Sequence, residues 1–298
     1  MRLSEQTKGE LSILFCQVCL GLRFVSVKAI SGIYAPSFIT GARFLMGGLV
    51  LFAVMCRKIR WSAVTLRRGF IMGCMLGVAM WLQTCGLQFS SASKSAYISS
   101  ASVVLVPLLN CLLFRVKPGF WQGAAALICF TGVVVMTVHF PFYIEWGDGI
   151  LLLGAFMSAS TSIYSSRSVR TPGTDSTGLS VVQMTTIGVL WLLPTAVTGS
   201  WPTCFEVKPV LLLLYSGLIG AGLCNTLAIS AYRVTTVNRS SLIVSTQPVF
   251  ATLFIILFLG ERLSPRLLLG AAMVFGATLL TIFARKPALP AAGTGTKG

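Results

Sequence analysis

Apolar runs of about twenty residues alternate with short polar stretches along the whole chain. They fall at 11–31, 36–56, 69–89, 95–114, 119–138, 147–166, 178–198, 209–231, 240–259 and 265–283. A helix rises 1.5 Å per residue, so about twenty apolar residues cross a hydrocarbon core. The first run carries Arg23 and Lys28, is long, and is followed by no small-residue cleavage site, so it reads as a helix rather than a signal peptide. Pro36 opens the second run, where proline suits a first helical turn. The pattern predicts an all-α polytopic membrane protein with ten transmembrane helices.

The runs repeat. Ser240 to Leu280 holds two apolar runs joined by the hairpin Gly260-Glu261-Arg262-Leu263-Ser264-Pro265, and Ser95 to Val138 has the same design. Lys94-Ser95 lines up with Arg239-Ser240 and Gly77 with Gly222, an offset of 145 residues, while Gly123-Ala124-Ala125 meets Gly270-Ala271-Ala272 at an offset of 147. Both are close to half of 298 residues, the mark of a duplicated bundle. The expected units are a head at 1–10, a first five-helix repeat at 11–139, a second at 147–284, and a small, Pro/Gly-rich tail at 285–298 read as disordered.

Charge then sets the topology. With the N-terminus inside, sixteen Lys and Arg fall in inner segments, five of them in 57–68, against four in outer ones (Lys94, Lys208, Arg262, Arg266). That asymmetry places both termini in the cytoplasm. Five is odd, so the second repeat starts from the opposite side and the repeats are inverted, an arrangement that builds alternating-access sites at the midplane. The expected location is a plasma membrane, the bacterial inner membrane in particular. The composition agrees, with 55% hydrophobic and 10% charged residues and a mean hydropathy of +0.85. The net charge of +16 calls for no nucleic acid, because the basic residues lie scattered between apolar runs. Eight of nine cysteines sit in apolar runs, where a thiol acts as a small hydrophobe. Cys16 and Cys19 have no second pair beside them, so neither a metal nor a cofactor is expected.

A few polar side chains inside the runs are candidates for chemistry. Arg23, midway along the first run, stands where a cation costs roughly 2.5–3.5 kcal/mol on insertion scales. It could anchor a carboxylate or phosphate bidentately, or face water in a polar vestibule. Lys28 and Arg43 lie nearer run ends, where snorkelling to the headgroups is the expectation. Trp81, Thr84 and Gln88 share one face of the third run, either to stack a planar substrate or to pack between helices. Ser158, Ser160, Thr161, Ser162, Ser165 and Ser166 make the sixth run rich in hydroxyls, which suits close helix packing or a wet wall. Ser99, Ser102, Asn225, Ser245 and Gln247 could hydrogen-bond a substrate, while Gly69, Gly73 and Gly77 form a packing ridge. No Asp or Glu lies in the middle of a run; the seven acids are Glu5, Glu10, Glu145, Asp148, Asp175, Glu206 and Glu261. Proton- and sodium-coupled carriers usually place carboxylates at the core, so facilitated transport or exchange is expected. Glu261 is expected to cap the helix that Pro265 opens.

Several of these stretches resemble one family. Leu87-Gln88-Phe89-Ser90-Ser91-Ala92-Ser93-Lys94-Ser95-Ala96-Tyr97 looks like the junction of the third and fourth helices in the EamA-like branch of the drug/metabolite transporter superfamily. Ala231-Tyr232-Arg233-Val234, Gln247-Pro248-Val249-Phe250 and Leu259-Gly260-Glu261-Arg262 resemble the matching part of its second repeat, and Phe24-Val25-Ser26-Val27-Lys28 with Ala42-Arg43-Phe44-Leu45 its first two helices. The resemblance implies a ten-helix inverted-repeat carrier in which helices 1, 3, 4, 6, 8 and 9 line a central cavity. Members of the family move small metabolites such as amino acids, nucleobases, sugars or drugs, and the expectation for this chain is an exporter of a small polar or anionic metabolite such as an amino acid. Departures are visible: Leu20-Gly21 and Ser158-Ala159 stand where the family usually has tryptophans, Arg115-Val116 where the first repeat would repeat Gly-Glu, and Gln247 where it has glutamate before proline. The rival within transport is a nucleotide-sugar or organic-phosphate antiporter, favoured if several basic residues meet in the cavity. An enzyme is disfavoured by the lack of a histidine cluster, an intramembrane Asp pair or a nucleophile–base set. Expected partners are a small-molecule substrate and the bilayer, with a homodimer left open.

Overall fold

The computed structural model describes residues 5–102, 104–106, 109, 112, 120–139, 143–169, 171–202, 206–224, 227, 243, 246–261 and 264–283. Among them the helices are α1 (Glu5–Ile30), α2 (Pro36–Met55), α3 (Ala63–Phe89), α4 (Ala92–Ser100), α5 (Phe120–Thr137), α6 (Trp146–Val169), α7 (Ser176–Val197), α8 (Val207–Leu214), α9 (Gln247–Leu259) and α10 (Pro265–Phe283). A π-helical segment, Tyr215–Leu223, continues α8, and a two-residue antiparallel pair, β1 (Val138–His139) and β2 (Tyr143–Ile144), joins α5 to α6. The tail at 285–298, expected to be disordered, lies outside the described residues.

Local chemistry sets the helix ends. The Ser62 hydroxyl accepts from Thr65 N at 3.1 Å, starting α3 six residues ahead of its apolar run. Ser91 Oγ accepts from Lys94 N at 3.2 Å, Asp175 Oδ1 from Gly178 N at 2.7 Å and Ser264 Oγ from Leu267 N at 3.2 Å; each takes up an orphan amide of a first turn. Gly260 ends α9 at φ 64°, a left-handed position that favours glycine.

Five stretches are long and apolar enough to cross a membrane: Gly9–Ile30, Pro36–Lys58, Ala63–Phe89, Trp146–Val169 and Ser176–Val197. Gly123–Val135, Val207–Leu223, Gln247–Leu259 and Pro265–Leu280 are shorter apolar helices. The outside of the bundle is itself apolar, with Val54, Phe70, Phe130, Leu193, Leu257 and Phe258 exposed, as a surface solvated by lipid requires. The chain is a multi-pass membrane protein.

The helices pair in a regular way. α2 packs on α7 and α5 on α10; α1 packs on α9 and α8, and α6 on α4 and α3; α2 also meets the wide segment after α8, and α3 meets α7. Exchanging each helix of the first five with the helix five places later maps these principal contacts onto one another. Small residues set the separations: a Cβ on Gly73 would stand 2.5 Å from Thr186 Cβ, and one on Gly47 2.8 Å from Ala221 Cβ.

Polar bonds gather where α3 ends and α4 begins. Lys28 Nζ donates to the carbonyls of Leu87 and Ser90, both at 2.6 Å, so it holds the negative end of α3 instead of snorkelling. Glu261 does not cap the Pro265 helix, which Ser264 serves. Its carboxylate accepts from Ala92 N at 2.9 Å and from Ser93 Oγ at 2.8 Å, crossing to the start of α4. Lys94 Nζ pairs with Glu145 at 3.1 Å and Asp148 at 3.2 Å, and Asp148 also accepts from Ser90 Oγ at 2.6 Å.

Candidate functional site

Arg23 leaves α1 near its middle and borders three adjoining voids. The first, about 200 Å³, is walled by Arg23, Gln83, Ser99, Ser102, Ser158 and Gln247 among others, drawn from α1, α3, α4, α6, α9 and α10 and the turn after α4. The second, about 310 Å³, is bounded by Gln17, Arg23, Arg43, Gln183, Cys224 and Gln247. A crevice of about 20 Å³ between them is touched by Arg23, Arg43, Gln83, Thr84, Ser95 and Ser99. Arg23 is common to all three, which make one cavity around it, with polar side chains punctuating a mostly apolar wall.

Arg43 does not snorkel. It is 3% exposed on α2 and faces the crevice beside Arg23. The sequence hid this because a position near a helix end says how far a side chain can reach, not which way it points. A signal was present: Thr40, Arg43 and Gly47 make a polar and small stripe at i, i+3 and i+7, a face a lipid contact would not select.

Four buried side-chain nitrogen or oxygen atoms lack a hydrogen-bond partner among the described residues: Gln17 Oε1, Arg23 Nε, Arg43 Nε and Ser99 Oγ. All four belong to residues of this cavity wall. Buried polar groups are normally paired, and these four exceptions fall together on residues of one cavity wall. Among the described residues Arg23 reaches a weak acceptor, its Nη1 lying 4.0 Å from Met80 Sδ. No Asp or Glu is among the wall residues of the three voids. The described residues hold no group of three or more His, Cys, Asp or Glu able to take a metal.

The other candidates divide. Ser99, Ser102 and Gln247 line the first void with Arg23; Ser102 Oγ donates to the Ser99 carbonyl at 2.7 Å. Thr84 touches the crevice and accepts from Thr40 Oγ1 at 3.2 Å. Trp81 stacks on Trp191 of α7, centroids 4.6 Å apart and planes 8° from parallel, so it packs helices together and lines none of the three voids. Gln88 Nε2 donates to the Ser31 carbonyl past the end of α1. Ser162 is exposed and returns its hydroxyl to the Ser158 carbonyl at 2.9 Å. Asn225 and Ser245 lie outside the described residues. The working face of α3 is instead Met80, Gln83, Thr84 and Leu87, at i, i+3, i+4 and i+7, a small rotation from the one marked by Trp81. Gln83 Nε2 donates to Ser158 Oγ at 3.2 Å, so the serine in place of a tryptophan forms part of the wall.

Comparison with known proteins gives these findings. The model of the EamA-like transporter family matches residues 7–138 and again 145–283. An S-adenosylmethionine/S-adenosylhomocysteine transporter of Chlamydia trachomatis is 27% identical over 83% of this chain and 80% of its own. A chloroplastic WAT1-related protein of Arabidopsis thaliana is 25% identical over 88% of this chain and 66% of its own. An uncharacterized transporter of Archaeoglobus fulgidus is 27% identical over 70% and 67%. A solved structure, 19% identical, superposes with a TM-score of 0.63 over 92% of this chain and 96% of its own, a likeness of fold.

Proposed function

Because the chain belongs to the EamA-like transporter family of the drug/metabolite transporters, we propose that it is a secondary carrier for a small polar or anionic metabolite such as an amino acid. It works by alternating access between inverted halves at 11–139 and 147–284. Two separate family matches and the exchange symmetry of the helix contacts support the paired halves. The Lys and Arg asymmetry supports cytoplasmic termini in a bacterial inner membrane. On that orientation the larger void runs from Arg23 toward Gln17 and Gln183, the cytoplasmic side, from which an exporter loads. The relative named for S-adenosylmethionine and S-adenosylhomocysteine carries molecules that end in an amino-acid carboxylate, which supports a substrate with such a group.

The observation that carries this reading is the cavity whose wall holds every unpartnered buried side-chain nitrogen and oxygen among the described residues, Arg23 at its centre. Arg23 offers a planar donor fork to a carboxylate. Efflux and counterflow from proteoliposomes with no ion gradient test it, across amino acids and small organic acids. The expected result is flux accelerated by an amino or organic acid and reduced at least about tenfold in Arg23→Ala, the loss of one charge-assisted bond. Flux unchanged in a folded Arg23→Ala would leave Arg23 a packing residue and the reading without its anchor.

A further inference from the structure

The reading above uses one arginine, and the cavity holds two. We propose that Arg43 joins Arg23 in a double guanidinium clamp and that the carrier's preferred substrate bears two negative charges, as a dicarboxylate or a phosphate monoester does. The inference rests on the transport reading and deepens it.

Charge is the first ground for the clamp. Arg43 is 3% exposed and Arg23 faces the same crevice, and a buried charge is stable only when paired or neutralised. No carboxylate is among the described residues of the walls around them. Glu145 and Asp148 hold Lys94, Glu261 holds the start of α4, and Asp175 caps α7. Glu206 precedes α8, and Glu5 and Glu10 lie in the first two turns of α1. Residues 225–245 include no acid at all. Among the described wall residues the charge facing the void is therefore +2, with no counter-charge.

Hydrogen-bonding capacity points the same way. Of the four unpartnered atoms, Arg23 Nε and Arg43 Nε can only donate and Ser99 Oγ can donate. Both guanidiniums border the same voids and carry donors only, so acceptor oxygens match them, and a single monoanionic group would leave one guanidinium unmatched. Gln17 Oε1, the fourth, accepts, and suits a hydroxyl or amine elsewhere on the substrate.

The test is binding and counterflow with purified full-length protein, using succinate and glycerol 3-phosphate as dianions, lactate as a monoanion and serine as a zwitterion. Wild type should be stabilised thermally by, and exchange, at least one dianion about tenfold better than lactate or serine; the one it takes separates dicarboxylate from phosphate. Arg43→Gln should erase that preference while lactate still binds, and Arg43→Lys should restore part of it. Equal or better handling of serine or lactate, or a dianion preference intact in Arg43→Gln, overturns the clamp while leaving the transport reading in place. Dianion binding with no flux overturns the transport reading and keeps the clamp. No binding of either dianion by folded protein overturns the clamp.

Discussion

Lys28 shows how little a residue's depth decides by itself. Its position near the end of an apolar run predicts a stem lying along the helix with its ammonium among headgroups. What it finds is closer: the last carbonyls of α3, which no intrahelical amide can satisfy. Two bonds of 2.6 Å to Leu87 O and Ser90 O join α1 to the end of α3 and set a cation on the negative pole of that helix. Lys28→Met is expected to lower stability by roughly 1.5–3 kcal/mol, the usual worth of a hydrogen bond to a charged group, and Lys28→Arg by less. Unfolding in detergent measures both, and equal stability of Lys28→Met and wild type would show that the carbonyls are as well served without the ammonium. Arg23 is conspicuous from sequence because a cation at mid-span has no innocent location. Arg43, Gln83 and Gln17 are not, because their orientation depends on which helix faces which, and that is set by contacts between distant segments.

Helices come through in the sequence better than the faces they use. All ten apolar runs overlap described helices, since length and hydropathy alone decide what a bilayer accepts. Their starts move where capping chemistry overrides hydropathy, as Ser62 does for α3. The wide turns of Tyr215–Leu223 have no hydropathy signature, and they sit where Gly217 and Gly222 bring the backbone against α2. The Gly69, Gly73 and Gly77 ridge was readable as packing, although its partner, α7, was not. At Gly73 a Cβ would meet Thr186 at 2.5 Å, whereas at Gly276 of α10 nothing lies within 4 Å. Alanine should therefore act with opposite signs at the two sites. Gly73→Ala should destabilise by about 1–3 kcal/mol, the cost of overpacking. Gly276→Ala should be neutral or stabilising by up to about 1 kcal/mol, because alanine loses less entropy in a helix. Paired melting curves check the contrast; the same sign at both sites would mean the α3–α7 contact can open without cost.

Coupling belongs to the molecule as a whole, because it depends on where every titratable group has been placed. A proton-driven carrier needs a side chain in the cavity that changes charge with each cycle, and a sodium-driven one needs oxygen ligands, usually with a carboxylate among them. Here Glu261 and Asp175 hold helix starts, Glu145 and Asp148 hold Lys94, and His139, the one histidine, lies in β1. The charged groups among the described wall residues are guanidiniums, which stay protonated at any physiological pH. On the proposed alternating-access reading, the halves reorient with substrate alone as the source of free energy. Flux down a fixed substrate gradient is then expected to be unchanged by a protonophore and by replacing sodium with potassium. The membrane potential must be clamped in the measurement, since a moving anion builds a field worth about 2.3 kcal/mol per charge at 100 mV that would mimic coupling. Flux that collapses with the protonophore under that clamp would require a titrating group in the transport path. The search would then turn to the hydroxyls and thiols of the cavity, beginning with Cys16 and Cys224, which line the larger void and join α1 to the segment after α8 through a 3.4 Å contact from Cys16 Sγ to the Cys224 carbonyl.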